Sequence, residues 1–413
     1  MRRLLAVLLV FAATAAPAHA VLPKSWHKGV NVVAFRYNDF SGKRFQYWLR
    51  QFKRHDHGGE VMFVTRWIQY WKDPLRSDDV NATDIQPAYG DAGCAHSSRT
   101  DYTHCQTPTI GAERKAILYA EKLGLKVAIK PLVDVGRFAD TTVDRKQVNF
   151  TDPDARAKWF ASYRAMLAKY AALARDTHAE MLVVGTGLTG MADQDADQVY
   201  WRAMIADIRS GALMADGKGG YPGELTYAAR WDSLYKDAID QEHDFFWDDL
   251  DAIGVEGFWT LISGKDPRHD DPAVSVLRQG WGLNFLKEGE PPGIMLRDLH
   301  LEYSKPVVMT GLGYLSRGGT SAAPSKGDAT QAAAGGKVNV QAQERPYEAA
   351  FDFWAPVARQ GWFDGFFLWN WQPRLGSVKN NGDYTPQGKP AETVMCGWFG
   401  GTAKACKPSQ MPH

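Results

Sequence analysis

Residues 181–188 read MLVVGTGL, a short β-type run that ends in small residues. Continuous apolar runs of this length are typical of strands that are buried on both faces. Longer helical patterns flank the run at residues 154–175 and 196–210. A buried strand between two helices indicates a βα unit of a parallel sheet.

The same unit recurs along the chain. Eight units in 413 residues predict a single (β/α)8 barrel of about 250 core residues, enlarged by loop insertions. The alternative, a doubly wound open sheet, is disfavoured because no glycine-rich phosphate turn follows the first strand. The predicted strands are 29–35, 61–66, 126–132, 181–186, 225–229, 252–258, 306–310 and 365–369, and further helical patterns lie at 110–123 and 344–360.

The composition is that of a globular protein, with 45% hydrophobic and 23% charged residues. Lysine and arginine (48) balance aspartate and glutamate (47), so no overall field would attract nucleic acid or anionic lipid. The chain is rich in aromatic residues, with 15 Trp, 16 Tyr and 19 Phe. Such a content suits a large core or a surface that stacks on sugar rings.

The N-terminus has the pattern of a secretory signal peptide. Arg2 and Arg3 precede an apolar run at residues 4–13, and small residues follow up to Ala20. We expect cleavage after Ala20, which leaves a mature domain of residues 21–413. No later stretch has the roughly 18 apolar residues of a membrane helix. A periplasmic or secreted protein without an integral membrane segment is therefore predicted.

The four cysteines form two close pairs, Cys94/Cys105 and Cys396/Cys406. In an oxidising compartment each pair is expected to close a local disulfide. Neither pair has the CxxC spacing of a zinc site, and residues 55–57 (His-Asp-His) are interpreted as a solvated turn rather than as ligands. No metal or other cofactor is predicted.

Two long insertions follow predicted strands, at about residues 69–109 and 316–338. Both leave the carboxyl end of a strand, which is the face where barrel enzymes build their sites. The second is rich in Gly, Ala, Ser and Thr, and either borders the site or is a mobile decoration.

The residues at the carboxyl ends of the strands are expected to converge on one cavity. Five are tryptophans, which favours an aromatic groove for sugar rings, with polar neighbours for the hydroxyl groups. The predicted substrate-binding residues are Arg66, Trp67, Lys130, Tyr227, Arg230, Trp231, Trp259, Tyr314, Trp369, Asn370 and Trp371, with Asp134 as a further polar neighbour.

Several short stretches of the sequence follow a known order. They are TP at 107–108, GLKV at 124–127, KP at 130–131, LTY at 225–227, DAIGV at 251–255, KPVV at 305–308, GFFLWNW at 365–371 and DYTPQGKPA at 383–391. Together they span most of the mature chain and resemble clan A glycoside hydrolases close to family 113, whose known members are β-mannanases. The resemblance implies a barrel that binds a β-linked polysaccharide or oligosaccharide.

The chain departs from the family pattern at the two positions that carry the chemistry. The resemblance implies an acid/base glutamate in a Gly-Thr/Asn-Glu-Leu pattern and a nucleophile in Thr-Glu-Ile/Leu-Gly-Tyr. Residues 185–188 read GTGL and residues 310–314 read TGLGY, so Gly187 and Gly311 replace both glutamates. Retaining hydrolysis needs two carboxylates about 5–5.5 Å apart, and glycine supplies neither.

Three interpretations follow. The protein is a carbohydrate-binding pseudoenzyme, an active glycosidase or transglycosylase with relocated carboxylates, or an altered, inactive form of a β-glycanase. Glu256 and Asp134 are the candidate relocated catalytic residues. Each has a structural alternative, because Asp134 can pair with Lys130 or Arg137 and Glu256 can face the helical layer. The sequence does not specify the sugar, the linkage or the oligomeric state.

Overall fold

The computed structural model describes residues 22–70, 81–87, 106–135, 144–234, 245–283, 291–378 and 380–410. The predicted signal peptide, Arg137, and the pair Cys94 and Cys105 lie outside the described residues. Those sequence expectations therefore stay predictions.

Eight parallel strands form a closed barrel, as predicted. Neighbouring strands pair in chain order, and β1 pairs with both β2 and β9 to close the ring. A ninth strand, β3, pairs antiparallel with the end of β2 and lies within the first predicted insertion. The strands are β1 His27–Val33, β2 Glu60–Tyr70, β3 Asp84–Pro87, β4 Lys126–Val135, β5 Met181–Thr186, β6 Glu224–Arg230, β7 Ala252–Glu256, β8 Val307–Leu312 and β9 Phe363–Trp371.

The helices start and stop at residues that the sequence marks. Asp152 caps the longest helix by accepting a hydrogen bond from the backbone N–H of Asp154, and Pro153 occupies its first position. Gly211 ends the next helix at a φ of 89°. The described helices are α1 Gly42–Arg54, α2 Ile110–Lys122, α3 Pro153–Asp176, α4 Asp195–Ser210, α5 Val274–Gly280, α6 Pro292–Tyr303, α7 Asp328–Ala333, α8 Gln341–Ala358 and α9 Pro390–Phe399. Within the described part of the chain, no helix has the length and apolar character needed to span a membrane.

The core consists of two apolar clusters, one on each side of the sheet. The smaller cluster fills the barrel interior and includes Val64, Ala128 and Val308. The larger cluster lies between strands and helices and holds most of the large aromatic side chains. Seven tryptophans are fully buried: Trp48, Trp159, Trp201, Trp247, Trp281, Trp354 and Trp371. The aromatic content therefore serves mainly the core.

The C-terminal segment is attached to the amino end of the barrel. A disulfide joins Cys396 of α9 to Cys406, as predicted, with 5.5 Å between their Cα atoms. Nearby, Glu392 accepts hydrogen bonds from the backbone N–H groups of Gly388 and Ser409, both at 2.7 Å, and from the Ser409 hydroxyl. These contacts fix the last described residues against the fold.

The interpretation of residues 55–57 as a solvated turn is wrong for Asp56, which is fully buried beside Glu392. The Nδ1 atom of His55 lies 2.7 Å from Asp56 Oδ1. Burial raises the pKa of Asp56 well above its ordinary value, and burial together with the charge of Asp56 raises the pKa of Glu392 to about 8. The two carboxyl groups therefore share a proton at neutral pH.

This pair makes stability depend on pH. Both carboxyl groups have raised pKa values in the folded state, so their contribution is present at acid pH and is lost as pH rises from about 4.5 through about 8. In Asp56→Asn, the amide N–H replaces the shared proton at every pH. We expect urea unfolding at about pH 5, 7 and 9 to show a smaller loss of stability in this variant than in the wild type. If the free energy of unfolding depended on pH equally in both proteins, the assignment of a shared proton to Asp56 and Glu392 would be wrong. The matched control is Asp154→Asn, at an exposed position.

Candidate functional site

A cavity of about 430 Å³ opens at the carboxyl ends of the barrel strands. Its lining comes from the ends of β2, β4, β5, β6, β7 and β9 and from the loops that follow them. Six residues predicted from the sequence line it: Arg66, Asp134, Arg230, Trp231, Glu256 and Trp369.

Three of the five predicted rim tryptophans do not line the cavity, and two of them, Trp67 and Trp371, face the helical layer. Trp67 follows the inward-facing Arg66 and therefore faces the helices, where its indole N–H donates to the Tyr170 hydroxyl at 2.7 Å. Trp371 packs against Trp48 in the outer core. The pairing of β1 with β9 shifts register just before Trp371, which breaks the alternation that the sequence suggested.

Four further predicted residues lie behind the lining. Tyr227 is buried in the helical layer, where its hydroxyl accepts a hydrogen bond from the backbone N–H of Leu188 at 2.9 Å. Tyr314 packs edge-on against Tyr347. Trp259 is buried 6.3 Å from Trp231, measured between ring centroids. The remaining one, Asn370, is buried at the end of β9.

Asp134 is held between two arginines. Arg66 donates through Nε to Asp134 Oδ2 at 2.6 Å, and Arg145 donates to Oδ1 at 2.5 Å. Burial alone would raise the pKa of Asp134, but the charges of Arg145 and Arg66 hold it below its ordinary value. Among the described residues, Asp134 therefore pairs with Arg66 and Arg145 and not with Lys130. The alternative partner Arg137 lies outside the described residues.

Sequence reasoning missed Arg145, which lies in a 3-10 helix at Arg145–Gln147. Asp144 caps this turn, and the Gln147 side chain accepts a hydrogen bond from the backbone N–H of Asp144. The spacing Asp-x-x-Gln is a capping-box signal that could have located the turn.

Glu256 faces the cavity, not the helical layer, and forms an ion pair with Lys130. Lys130 is fully buried below the lining and also donates to the carbonyl oxygen of Thr310 at 3.1 Å. Burial lowers the pKa of Lys130, although the charge of Glu256 opposes the shift. Lys130 therefore serves as the internal partner of Glu256 and does not itself line the groove.

Gly187 lines the cavity, and Gly311 lies next to Glu256, which also lines it. Gly187 follows β5 with a φ of 61°, a conformation that residues with side chains rarely adopt. Gly311 on β8 is paired in register with Glu256 on β7. A Cβ atom added at Gly311 would lie 2.8 Å from Glu256 Oε1. At Gly187 the backbone thus adopts a left-handed conformation, and at Gly311 the carboxylate of Glu256 lies close to the backbone.

Part of the second insertion borders the cavity through Ser325 and Gly327. Tyr384 also lines the cavity, and its hydroxyl lies 2.6 Å from the carbonyl oxygen of Pro324 and 3.0 Å from that of Lys326. The described part of the second insertion therefore forms a wall of the cavity, which favours the first of its two interpretations.

One other cluster of potential ligands occurs in the described residues, at the opposite end of the barrel. Atoms of His55, Asp56 and Glu392 lie within 4.8 Å of one another, a spacing that could hold a metal ion. Glu392 already accepts three hydrogen bonds, and a shared proton accounts for its contact with Asp56. The cluster is therefore explained without a metal.

The sequence model of Glycoside Hydrolase Family 113 matches residues 79–389. The chain belongs to this family. Membership in family 113 makes it a glycan-acting protein and confirms the resemblance stated from the sequence. Comparison of the family 113 chain with curated protein sequences finds no match.

Solved structures of family 113 share the fold. A GH113 β-1,4-mannanase described as a complex is 23% identical, with 91% of this chain and 98% of that chain covered and a TM-score of 0.66. The GH113 β-mannanase AaManA from Alicyclobacillus acidocaldarius, in complex with ManMIm, is also 23% identical, with coverages of 91% and 97% and a TM-score of 0.64. At these identities, the similarity establishes the fold of this family 113 protein.

Proposed function

We propose that this protein is an exported member of family 113 that binds a β-linked oligosaccharide or polysaccharide without hydrolysing it. The proposal rests on Gly187, which lines the cavity, and on Gly311, which lies next to the cavity-lining Glu256. The family resemblance implies catalytic glutamates at these two positions. Without them, neither a nucleophile nor a general acid stands at the expected places.

The two carboxylates considered as replacements are poorly suited to that chemistry. Both oxygens of Asp134 accept hydrogen bonds from arginines, and its lowered pKa keeps it ionised, so it is a weak proton donor. Glu256 is paired with Lys130 and also accepts a hydrogen bond from the Thr310 hydroxyl at 3.1 Å. Asp134 could attack a sugar only after breaking a contact with an arginine. Glu256 makes both of its contacts through Oε1, so an attack through Oε2 would have to occur while Lys130 still holds the same carboxylate.

The surroundings of the two glycines also favour a natural binding protein over an altered, inactive form of a β-glycanase. At Gly187, the positive φ disfavours any residue with a side chain. At Gly311, a Cβ atom would lie 2.8 Å from Glu256 Oε1, so the Glu256 side chain would have to shift away from its present position. Both sites are thus shaped around glycine.

The ligand is proposed from the lining and from the relatives. Trp231 and Trp369 supply indole rings at the cavity, and charged groups beside them can bond to hydroxyl groups. Because the similar solved structures are β-mannanases, one of them described as a β-1,4-mannanase, β-1,4-mannooligosaccharides are the first ligands to test. Export to the periplasm or the medium, proposed from the signal-peptide pattern, would bring the protein to such glycans.

Calorimetric titration with β-mannan, β-glucan and xylan oligosaccharides tests the proposal. We expect saturable binding of at least one series, and we expect Trp231→Ala to weaken it roughly 2- to 10-fold, since an aromatic contact contributes about 0.5–1.5 kcal/mol. Tyr303→Ala on α6, outside the cavity, is the matched control. Absence of binding to every glycan tested, neutral or acidic, would refute the proposal.

A further inference from the structure

Two arginines border the position from which the family's acid/base side chain is missing. A Cβ atom added at Gly187 would lie 3.3 Å from Arg230 Cγ and 3.5 Å from Arg145 Cδ. Arg230 ends β6, whereas Arg145 lies in the 3-10 helix that follows β4. Side chains from separate elements thus bring two cations to one point in the cavity.

Arg145 has unused donor capacity. A guanidinium group carries five N–H donors. Among the described residues, Arg145 donates only to Asp134 Oδ1, although its side chain is 23% exposed and lines the cavity. Arg230 makes two bonds to Asp232 and one to Asp144, and its side chain is 22% exposed. An acceptor that enters this part of the cavity would meet guanidinium N–H groups.

The charge balance of the cavity also differs from that of a catalytic site. The described charged residues in the lining are Arg66, Arg145, Arg230, Asp134, Asp144 and Glu256, and the buried Lys130 lies directly below them. The formal charges of the lining cancel, and Lys130 adds one positive charge. With glutamate at both glycine positions, the same cavity would carry two further negative charges and would repel an anion.

We propose that the cavity binds a glycan that carries a carboxylate, and that Arg145 and Arg230 bind the carboxylate of a uronic acid unit beside Gly187. The proposal rests on the proposed function and specifies its substrate class. The ligand would supply the carboxylate that the protein lacks at this position, in the planar form that guanidinium groups bind best. Trp231 directly follows Arg230 in the chain and lines the same cavity, so it can contact the sugar ring.

The sharpest test compares two ligands that differ only at carbon 6. β-1,4-Mannuronate tetrasaccharide carries carboxylates where β-1,4-mannotetraose carries hydroxymethyl groups. We expect the wild type to bind the mannuronate about 10-fold more tightly, since hydrogen bonds to charged groups contribute more than neutral ones. The preference should shrink when salt is raised from about 20 to about 300 mM.

Variants of Arg145 assign the preference to the proposed contact. Arg145→Gln should weaken mannuronate binding far more than mannotetraose binding, so that the preference for the mannuronate disappears. Arg145→Lys retains the charge without the planar fork and should give an intermediate loss. Arg297→Gln, an exposed cation on α6, is the matched control. Thermal unfolding of each variant verifies that it is folded.

The outcomes separate this proposal from the proposed function. Equal affinities for both tetrasaccharides, or a mannuronate preference that persists in Arg145→Gln, would overturn the uronate site while glycan binding stands. Failure of the wild type to bind either tetrasaccharide or any member of the neutral panel would refute both.

Discussion

The double variant Gly187→Glu/Gly311→Glu is expected to remain inactive on β-1,4-mannan and to be less stable than the wild type. At residue 187 the positive φ places a side chain in a strained conformation that costs about 1–3 kcal/mol. At residue 311 the first side-chain atom would lie 2.8 Å from Glu256 Oε1, and the new carboxylate would be forced beside that of Glu256. Thermal unfolding and an assay of reducing-sugar release measure the two effects.

The structure also specifies how to relieve the clash. Adding Glu256→Ala to the double variant removes the competing carboxylate and leaves Lys130 free to pair with glutamate at 311. This triple variant should regain part of the lost stability, whereas Gly311→Ala alone should be destabilised by the contact with Glu256. Hydrolysis by the double variant would show that the fold still accepts both glutamates, and would favour the interpretation as an altered enzyme.

Glu256→Gln should lower the free energy of unfolding at neutral pH by about 3–5 kcal/mol, because it leaves the ammonium group of Lys130 buried without its anionic partner. The pKa of Lys130 is already lowered by burial, and loss of Glu256 lowers it further. The folded variant can therefore release this proton as pH rises, so the loss should be smaller at about pH 9.5 than at pH 7. Urea unfolding at the two pH values measures the difference.

A double-mutant cycle completes this test. Lys130→Met/Glu256→Gln removes the buried cation together with its partner, so the double variant should lose less stability than Glu256→Gln alone. A loss equal to the sum of the two single losses would contradict a coupled pair. The same variants bear on catalysis, because a catalytic Glu256 would have to act from within this pair.

The repeating pattern made the barrel predictable, because strands buried on both faces and separated by helices have few other arrangements. Strand-end reasoning also placed Asp134, Glu256 and Arg230 at the cavity correctly. It failed for Trp67, whose neighbour Arg66 faces inward, and for Trp371, which follows a shift in strand register. The alternation of side chains along a strand and its pairing register decide whether a side chain faces the barrel interior or the helices. A single sequence marks the exact end of a strand poorly, so these two features were not predictable at the strand ends.

The partners of the charged residues were harder to predict. Lys130 and Glu256 are 126 positions apart, and their contact depends on closure of the barrel. Arg145 reaches Asp134 from a short turn that no hydrophobic period marks. The surroundings of the two glycines could not be predicted either, because the φ of Gly187 and the approach of Glu256 to Gly311 exist only in the folded chain.

If the protein binds its ligand without cleaving it, the ligand keeps its length. The wild type is incubated at stoichiometric concentration with each oligosaccharide that it binds, in water enriched in oxygen-18, and the sugars are analysed by mass spectrometry. We expect every oligosaccharide to keep its original length after prolonged incubation, with oxygen-18 only at the reducing end, where it also exchanges without protein. Labelled, shortened products that disappear with Glu256→Gln or Asp134→Asn would contradict it and would establish relocated catalytic carboxylates.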